Sequence, residues 1–515
     1  MAEVRSRHRI GFLQLTFAVC IMAGAAVVIS PFAALALMIV VGVVTVAAVA
    51  PAAIPLLVMA NVACAYFLLN RLDELLAVHI GPYTLKVSYW FTAFVVSVLA
   101  LQLLFRQRRN QPSSNVISYS PGMFALGWAA FVVLGLLSVI ANSIGVGYVP
   151  DRSATGEILA LGSLCLPMAF AALLPASNFS KRQVLAGINL IMLLAAATAL
   201  VAVVFAVAPA GIYGILGWSR ELALSGGLLR ASTPLGHPNT VAAVLALSLP
   251  VAIVLGVRHP VARMRYFNVA GALLIFGGIL FSQSRTAVAV AVPMAIVSLL
   301  YALGTRTSSR TKTLLGGVLL GGLMLAGTLW LITHFDFSRF RSRYYYEDAN
   351  VERRVQSMTT GLQVFYDHPV LGASPNSVYP RDELQPDWIP PALDELGVIL
   401  YYRGRISAAN PHNLFLTILA EYGLLGGLVM LLLLGLIPLA LWRTFKALPP
   451  AETFDRSLTA ALGLSFVTFL GVGLGGALFT YSVRIGTVFW IFTGLGLRFC
   501  VLVAQRERGD AIANE

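Results

Sequence analysis

Apolar runs long enough to cross a bilayer recur along almost the whole chain, and they constrain its fold more than any other feature. A helix needs about 20 apolar residues to span the hydrocarbon core of a membrane. Runs of this kind lie at 10–30, 32–50, 53–70, 88–105, 122–142, 155–174, 184–207, 239–257, 266–283, 286–303, 313–333, 413–442, 457–480 and 483–503. Of the 515 residues, 58% are hydrophobic and only 11% are charged, which is typical of a polytopic membrane protein. We therefore predict an all-α transmembrane bundle of 14 spans, or 12 if the first hairpins are re-entrant.

Basic residues cluster in short segments between the apolar runs, and these clusters predict the orientation of the bundle. The clusters lie near Arg9, Arg106, Lys181, Arg258, Arg306, Lys446 and Arg506. They fall on one side of the membrane if both termini are cytoplasmic, which is the positive-inside pattern of an inner-membrane protein. The net charge of +13 is therefore explained without a nucleic-acid partner. Loops 208–237 and 334–411 are predicted to face the periplasm.

The two outward loops divide the chain into four predicted parts. Residues 1–207 form the first group of transmembrane helices, and residues 208–333 form a central group preceded by the outward loop 208–237. Residues 334–411 are the one long polar segment, which we interpret as a periplasmic loop domain. Residues 412–515 form the last transmembrane helices and a short cytoplasmic tail.

Several kinds of chemistry have no support in the sequence. It contains no Gly-rich nucleotide loop, no carboxylate pair in an apolar run and no zinc-type spacing. The four cysteines lie in apolar runs, at Cys20, Cys64, Cys165 and Cys500, without a metal-binding or disulfide pattern. We therefore assign neither a metal nor a cofactor, and a nucleotide-driven pump or metal hydrolase is not supported.

The polar loop ends at Asn410-Pro411-His412-Asn413, where a long apolar helix is predicted to begin. Pro411 suits a helix start and Asn410 suits the N-cap before it, which would place His412 in the first turn at the membrane surface. A neutral imidazole there has the form that a general base needs. On this stretch alone, however, capping of a transmembrane helix is the favoured interpretation.

Two arginines on the outward side stand out. Arg285 lies between two apolar runs with no acid near it in sequence, so it either faces a polar cavity or snorkels to the outer interface. Arg354 opens an amphipathic run with apolar residues Val355, Met358, Leu362 and Phe365, which could lie on the membrane. The planar guanidinium suits phosphate because it stays charged and binds through two hydrogen bonds.

A set of motifs in this half of the chain resembles one known family. His412-Asn413, followed after nine residues by Gly423 and after two more by Gly426, resembles the signature of the O-antigen ligases and polymerases, which are bacterial membrane glycosyltransferases. Three further matches precede it in the family's order: the segment from Arg230 to Asn239, Ser284-Arg285-Thr286, and Arg354 ahead of His368-Pro369-Val370-Leu371-Gly372. The resemblance covers about residues 228–427 and departs from the family at Ala373-Ser374.

The resemblance implies a fold related to the type C glycosyltransferases and a donor glycan carried on undecaprenyl diphosphate, without a metal. It implies that His412 is the catalytic base and that Arg285 and Arg354 stabilise the leaving diphosphate, with Arg230 as a secondary contact. Attack opposite the leaving group would invert the anomeric centre. The supporting residues are Asn413, which caps or orients the helix, His237 and Asn239, which shape the donor loop, and Gly423 and Gly426, which let helices approach closely.

Several functions remain open at this point. The leading one is a ligase that transfers the glycan to an acceptor such as the lipid A core of lipopolysaccharide. A polymerase that joins repeat units on the same carrier is the closest competitor, followed by protein O-glycosylation. A solute transporter is a different class, but it should carry ionisable or helix-breaking residues near mid-membrane. Here the polar residues gather at one face, beside a 78-residue outward loop.

Overall fold

The computed structural model describes residues 53–67, 78–80, 83–85, 87–107, 121–144, 154–207, 224–225, 228–229, 238–304, 357–375, 411–449, 453–476, 478 and 483–513. The helices are α1 (Ile54–Phe67), α2 (Val87–Gln107), α3 (Pro121–Ser143), α4 (Ala154–Leu173), α5 (Lys181–Val207), α6 (Pro238–Arg258), α7 (Ala262–Ser282), α8 (Arg285–Gly304), α9 (357–367), α10 (Leu414–Ala447), α11 (Thr453–Gly473) and α12 (Val483–Ala513). The strands are β1 (Val78–Ile80), β2 (Tyr83–Leu85), β3 (Leu224–Ser225) and β4 (Leu228–Leu229), which form two short antiparallel hairpins.

Nine helices within the described ranges are long and apolar enough to cross a membrane, and α1 and α2 contain shorter apolar segments. The predicted all-α, multi-pass membrane fold is therefore confirmed. The predicted spans at 10–30, 32–50 and 313–333 lie outside the described residues, so the count of 12 or 14 stays a prediction. The predicted span 457–480 was too long, because the glycine-rich run Gly473-Leu474-Gly475-Gly476 ends α11 at Gly473.

Helix α6 is the centre of the bundle. Every residue from Val241 to Val257 is buried, which is expected for a helix that is apolar on all sides and surrounded by other helices. It packs against α5, α7, α8, α11 and α12. A Cβ atom at Gly278 of α7 would lie 2.8 Å from both Ala199 Cβ and Leu245 Cδ1, so the glycine allows close packing of three helices.

Basic side chains mark one end of the bundle, which we call the basic end. An ion pair between Lys181 and Asp455 joins the starts of α5 and α11. Arg258 Nε donates to the Ala302 carbonyl at 2.6 Å, which joins the ends of α6 and α8. Arg456 Nη1 donates to the Leu448 carbonyl at 3.2 Å, which brings the end of α10 to the same place. The clusters near Lys181, Arg258 and Lys446, which were predicted to share one side of the membrane, thus lie at one end of the bundle, where His259 also packs against Phe454 at the start of α11.

The opposite end, which we call the loop end, carries the starts of α6, α8, α10 and α12 and the ends of α5, α7 and α11. Helices α7 and α8 are joined there by only two residues, Gln283 and Ser284. Gln283 has a left-handed φ of 54° and its N–H donates to the Leu280 carbonyl at 3.0 Å, so α7 ends abruptly. The Ser284 carbonyl then accepts the Val288 N–H at 2.9 Å and starts α8. This tight turn holds Arg285 at the loop end.

Candidate active site

A turn at residues 474–476 brings the starts of α8 and α10 together. Asn413 Nδ2 donates to the Leu474 carbonyl at 3.1 Å, which connects the start of α10 to this turn. A Cβ atom at Gly475 would overlap the side chain of Thr286, so the turn also lies directly against the first residues of α8. The segments that carry His412 and Arg285 therefore flank one turn at the loop end.

Asn413 is the N-cap of α10. Its Oδ1 accepts the N–H groups of Phe415 and Leu416, both at 3.0 Å, and its backbone is extended. These bonds satisfy two of the donors that a helix start leaves unpaired. The predicted helix start at Pro411, with His412 in the first turn, is therefore wrong. The predicted cap Asn410 lies outside the described residues, whereas the expectation that Asn413 caps or orients the helix agrees with this geometry.

His412 lies between the buried Pro411 and the capping Asn413, and its side chain is exposed. Its φ of 50° lies in the left-handed region, which few residues other than glycine adopt. Such a conformation is unfavourable for a residue with a Cβ atom, and it persists only where the surrounding structure imposes it. The capping Asn413 and the buried Pro411 flank it on the two sides.

Arg285 is exposed and is the first residue of α8. A cation at a helix N-terminus opposes the helix dipole, so the dipole of α8 does not favour the charge of Arg285. The dipole and the backbone N–H groups at a helix start favour an anion. The guanidinium and the helix start together therefore suit an anionic group at the loop end.

Gly423 breaks α10 and lies against the polar loop. Its φ of 65° and ψ of −167° are not helical. In an unbroken helix the N–H groups of Leu424 and Leu425 would bond to the carbonyls of Ala420 and Glu421. Here all four groups bond to the segment 369–374 instead, and we call this arrangement the backbone clamp. An unpaired buried donor or acceptor would cost about 1–3 kcal/mol, so the loop compensates for the break.

The clamp has four backbone hydrogen bonds. Leu424 N–H donates to the Pro369 carbonyl at 2.7 Å and Leu425 N–H to the Val370 carbonyl at 3.3 Å. In the other direction, Ala373 N–H donates to the Ala420 carbonyl at 2.9 Å and Ser374 N–H to the Glu421 carbonyl at 3.2 Å. The expected role of Gly423 in helix–helix contact is therefore wrong, because its neighbour is a loop. Gly426 does face a helix, since a Cβ atom there would lie 3.8 Å from Phe131 of α3.

Helix α9 leads into the clamp and packs beside His412. A Cβ atom at Gly361 would lie 2.9 Å from Pro411 Cγ and 3.2 Å from Leu416 Cγ, so α9 contacts the residue directly before the histidine. Val364 is buried on the same face. Met358, Leu362 and Tyr366 are exposed on the outer face, which agrees with an amphipathic helix at the membrane surface.

Comparison with known proteins finds a similarity in the part of the chain that carries these segments. Residues 270–431, from α7 to the middle of α10, match the family model described as O-antigen ligase. This match supports the resemblance to the O-antigen ligase family over that part of the chain. It contains Arg285, Arg354, the clamp and His412 and begins after Arg230, His237 and Asn239. No curated protein matches the chain significantly.

The described part of the chain includes only some of the residues in the motifs that resemble the O-antigen ligase family. Asn239 is the second residue of α6, half-buried at the loop end, where Pro238 occupies the first helical position. Arg354, Arg230 and His237 lie outside the described residues, so their placement stays a prediction. Arg354 precedes the first described residue of α9 by three positions. The described residues include no group of three or more His, Cys, Asp or Glu side chains arranged to hold a metal ion.

One buried cation at the loop end was not predicted from the sequence. Arg484 is the second residue of α12 and is only 7% exposed. One turn further, Thr487 Oγ1 and Thr92 Oγ1 lie 3.3 Å apart, and Thr92 Oγ1 also donates to Asn61 Oδ1 at 3.3 Å. In the sequence, Arg484 is an arginine at the start of an apolar run, and the same pattern led to the prediction of Arg285 as a site residue.

Proposed function

We propose that this protein is a membrane glycosyltransferase of the ligase type, which transfers a glycan from undecaprenyl diphosphate to a hydroxyl group of an acceptor such as the lipid A core. The family match at residues 270–431 supports a ligase- or polymerase-type membrane enzyme. The observation that carries the residue-level proposal is the meeting of the starts of α8 and α10 at the turn 474–476.

The depth of this place in the membrane suits the proposed donor. An undecaprenyl chain lies in the hydrocarbon core, and its diphosphate therefore lies at headgroup level. The first residues of α8 and α10 are at the ends of apolar spans, which is the same level. If the basic end faces the cytoplasm, as the positive-inside pattern indicates, the loop end faces the periplasm of the inner membrane.

His412 acts in this proposal as the general base. The acceptor oxygen forms a bond to the anomeric carbon of the donor while the bond from that carbon to the diphosphate oxygen breaks. His412 takes the hydroxyl proton as the new bond forms, and the diphosphate leaves with the electron pair of the broken bond. A sugar hydroxyl is far too weak an acid for imidazole to ionise beforehand, so the transfer is concerted. General base catalysis of this kind contributes about 10²- to 10⁴-fold.

Arg285 and Arg354 act as the fixed positive charges that stabilise the leaving diphosphate, and Arg230 is a secondary contact. The exposed guanidinium of Arg285 and the helix start beside it favour an anion, which supports its part in this role. Attack from the side opposite the diphosphate inverts the anomeric centre. His237 and Asn239 shape the donor side of the site. No metal is assigned a step.

The test is the glycan phenotype of a deletion strain complemented with variants. With a ligase, the strain lacks long chains on lipopolysaccharide but keeps carrier-linked polymer, and the parent gene restores the long chains. A core capped with a single repeat unit would instead assign the polymerase reaction to the same site. Intact long-chain lipopolysaccharide and carrier-linked polymer in the deletion strain would contradict both.

A further inference from the structure

We infer that the backbone clamp positions α9 against the start of α10 at His412. Gly372 and Gly423 would then be positioning residues for the transfer reaction. This inference rests on the proposed function, to which it adds a connection between the periplasmic loop and the catalytic helix. It gives a function to the break in α10 at Gly423, which lies about three turns of helix from His412.

The pairing pattern shows that the break and the loop belong together. Opening α10 at Gly423 exposes two N–H groups and two carbonyls, and segment 369–374 bonds to those same four groups. The loop therefore satisfies all four groups that the break opens. If α10 closed at Gly423, the same four groups would pair within the helix, and the loop would lose its bonds to them.

Glycine is required on both sides of the clamp. Gly372 has a φ of 74° and Gly423 a φ of 65°, and both values are unfavourable for other residues. A Cβ atom at Gly372 would overlap the backbone of Glu421, and one at Gly423 would overlap the Val370 carbonyl. Alanine at position 423 favours helical φ and ψ, so it is expected to close α10 and release the loop without unfolding the bundle.

The clamp is connected to the active site through α9. Residue 369 follows α9 almost directly, and the His368 N–H donates to the Val364 carbonyl at 3.0 Å, so the helix continues into the clamp. At its middle, α9 contacts Pro411 through Gly361. Two fixed points along one helix determine its placement, and in sequence Arg354 lies three residues before the first described residue of that helix.

A pair of cysteines reports this docking independently of activity. A Cβ atom at Gly361 lies 3.2 Å from Pro411 Cβ, close to the separation of about 3.5–4.5 Å in a disulfide. The Gly361→Cys/Pro411→Cys pair is expected to form a disulfide rapidly on mild oxidation in the otherwise unchanged chain. Adding Gly423→Ala should slow this reaction strongly. Gly435→Ala is the matched control, because it lies in the same helix and its Cβ atom would meet nothing within 4 Å.

Activity and rescue complete the test. Gly423→Ala is expected to lower the transfer rate on the order of a hundredfold, since misplacement by about 1 Å can cost that much. In the cysteine-pair background, oxidation should restore much of this loss and reduction should abolish the recovery. A merely structural defect would not respond to the disulfide. Should Gly423→Ala fail to accumulate in the membrane, Gly372→Ala makes the same test from the loop side.

Each outcome decides the inference. Equal disulfide formation in the Gly423→Ala and Gly435→Ala proteins would overturn it, whatever the transfer rate. Slow disulfide formation with unchanged transfer would also overturn it, because the clamp would then be dispensable. Failure of the proposed function is a separate result, seen when His412→Ala retains transfer while the disulfide still depends on Gly423.

Discussion

Asn413 and Leu474 connect the start of α10 to the end of α11 through a hydrogen bond of 3.1 Å from the Asn413 amide to the Leu474 carbonyl. The same side chain caps α10 through its oxygen. One asparagine therefore both starts the helix behind His412 and ties it to the turn beside Arg285. Its two functions can be separated chemically, because the amide both donates and accepts whereas a carboxylate only accepts.

Asn413→Asp should keep the cap and lose the connection. A carboxylate still accepts the N–H groups of Phe415 and Leu416, but it cannot donate to the Leu474 carbonyl. We expect thermal stability close to that of the parent protein and a reduced transfer rate. Asn413→Ala should lose both, with a stability loss of about 1 kcal/mol. Parent-like transfer by Asn413→Asp would show that the connection to Leu474 does not matter for the site.

The two arginines should not be replaceable by lysine. If Arg285 and Arg354 bind one diphosphate, a single ammonium group cannot copy the two-point contact. Arg285→Lys and Arg354→Lys should each lose much of the transfer rate. Each alanine variant should lose more, about a hundredfold or about 3 kcal/mol. The measurement is the transfer rate of purified enzyme on carrier-linked donor, with Arg443→Ala at the basic end as the control.

The double variant of Arg285 and Arg354 tests whether the two arginines bind the same diphosphate. Residues that act as a unit are not additive, so Arg285→Ala/Arg354→Ala should lose less than the product of the single losses. Full activity in Arg285→Ala would leave it as a residue of the membrane interface. The diphosphate contact would then have to be sought in the 334–411 loop.

The orientation of the bundle can be tested with two exposed positions at opposite ends. Ile144 is 71% exposed at the end of α3, and Val261 is 54% exposed beside the start of α7. In intact cells, Ile144→Cys should react with a membrane-impermeant thiol reagent, and Val261→Cys should react only after the membrane is opened. Tags in loops 208–237 and 334–411 should be accessible from outside, and a tag after Lys446 should not. The reverse pattern would place the candidate site in the cytoplasm.

The clamp should weaken in acid. Burial lowers the pKa of the His368 imidazole, and the nearby Asp367 carboxylate offsets only part of this effect. The released loop then binds a proton more readily than the docked loop. Docking is therefore strongest above the ordinary histidine pKa of about 6.5 and weakens as the pH falls below it. Disulfide formation by the Gly361→Cys/Pro411→Cys pair, compared with an exposed cysteine pair at each pH, should fall in acid less steeply when His368→Gln is added.

The positions of the transmembrane helices were predictable because they depend mainly on one property, the length of an apolar run. The runs at 88–105 and 286–303 correspond to α2 (Val87–Gln107) and α8 (Arg285–Gly304) with shifts of one or two residues at each end. Arg285 was found for a related reason, since a cation between two apolar runs is costly wherever it is placed. The division of the chain into four parts stays a prediction.

The start of α10 and the break at Gly423 were not predictable from local sequence. Asn410 and Asn413 both suit a helix cap, and the choice of Asn413 depends on Leu474, some 60 residues away. Glycine is common in transmembrane helices, so Glu421-Tyr422-Gly423-Leu424 gives no sign of a break. The break needs segment 369–374, which lies about 50 residues earlier in the chain. Arg484 was missed because only the structure shows that it is buried at the loop end.

We propose that the His412 imidazole is the catalytic base. His412 is exposed and its backbone is left-handed. Two substitutions can therefore separate the effect of the imidazole from the effect of the backbone conformation. His412→Gly removes the imidazole and suits the backbone, whereas His412→Ala removes the imidazole and keeps the strain of about 1 kcal/mol. Neither should reduce the amount of protein in the membrane, and the glycine variant should be the more stable of the two.

The deciding measurement is the transfer rate of purified His412→Ala on carrier-linked donor, normalised to folded enzyme. We predict a loss of about 10²- to 10⁴-fold, together with a melting temperature close to that of the parent protein. His412→Gly should show the same loss of transfer, which would attribute the defect to the imidazole. A transfer rate near that of the parent in His412→Ala would contradict the assignment of His412 as the base.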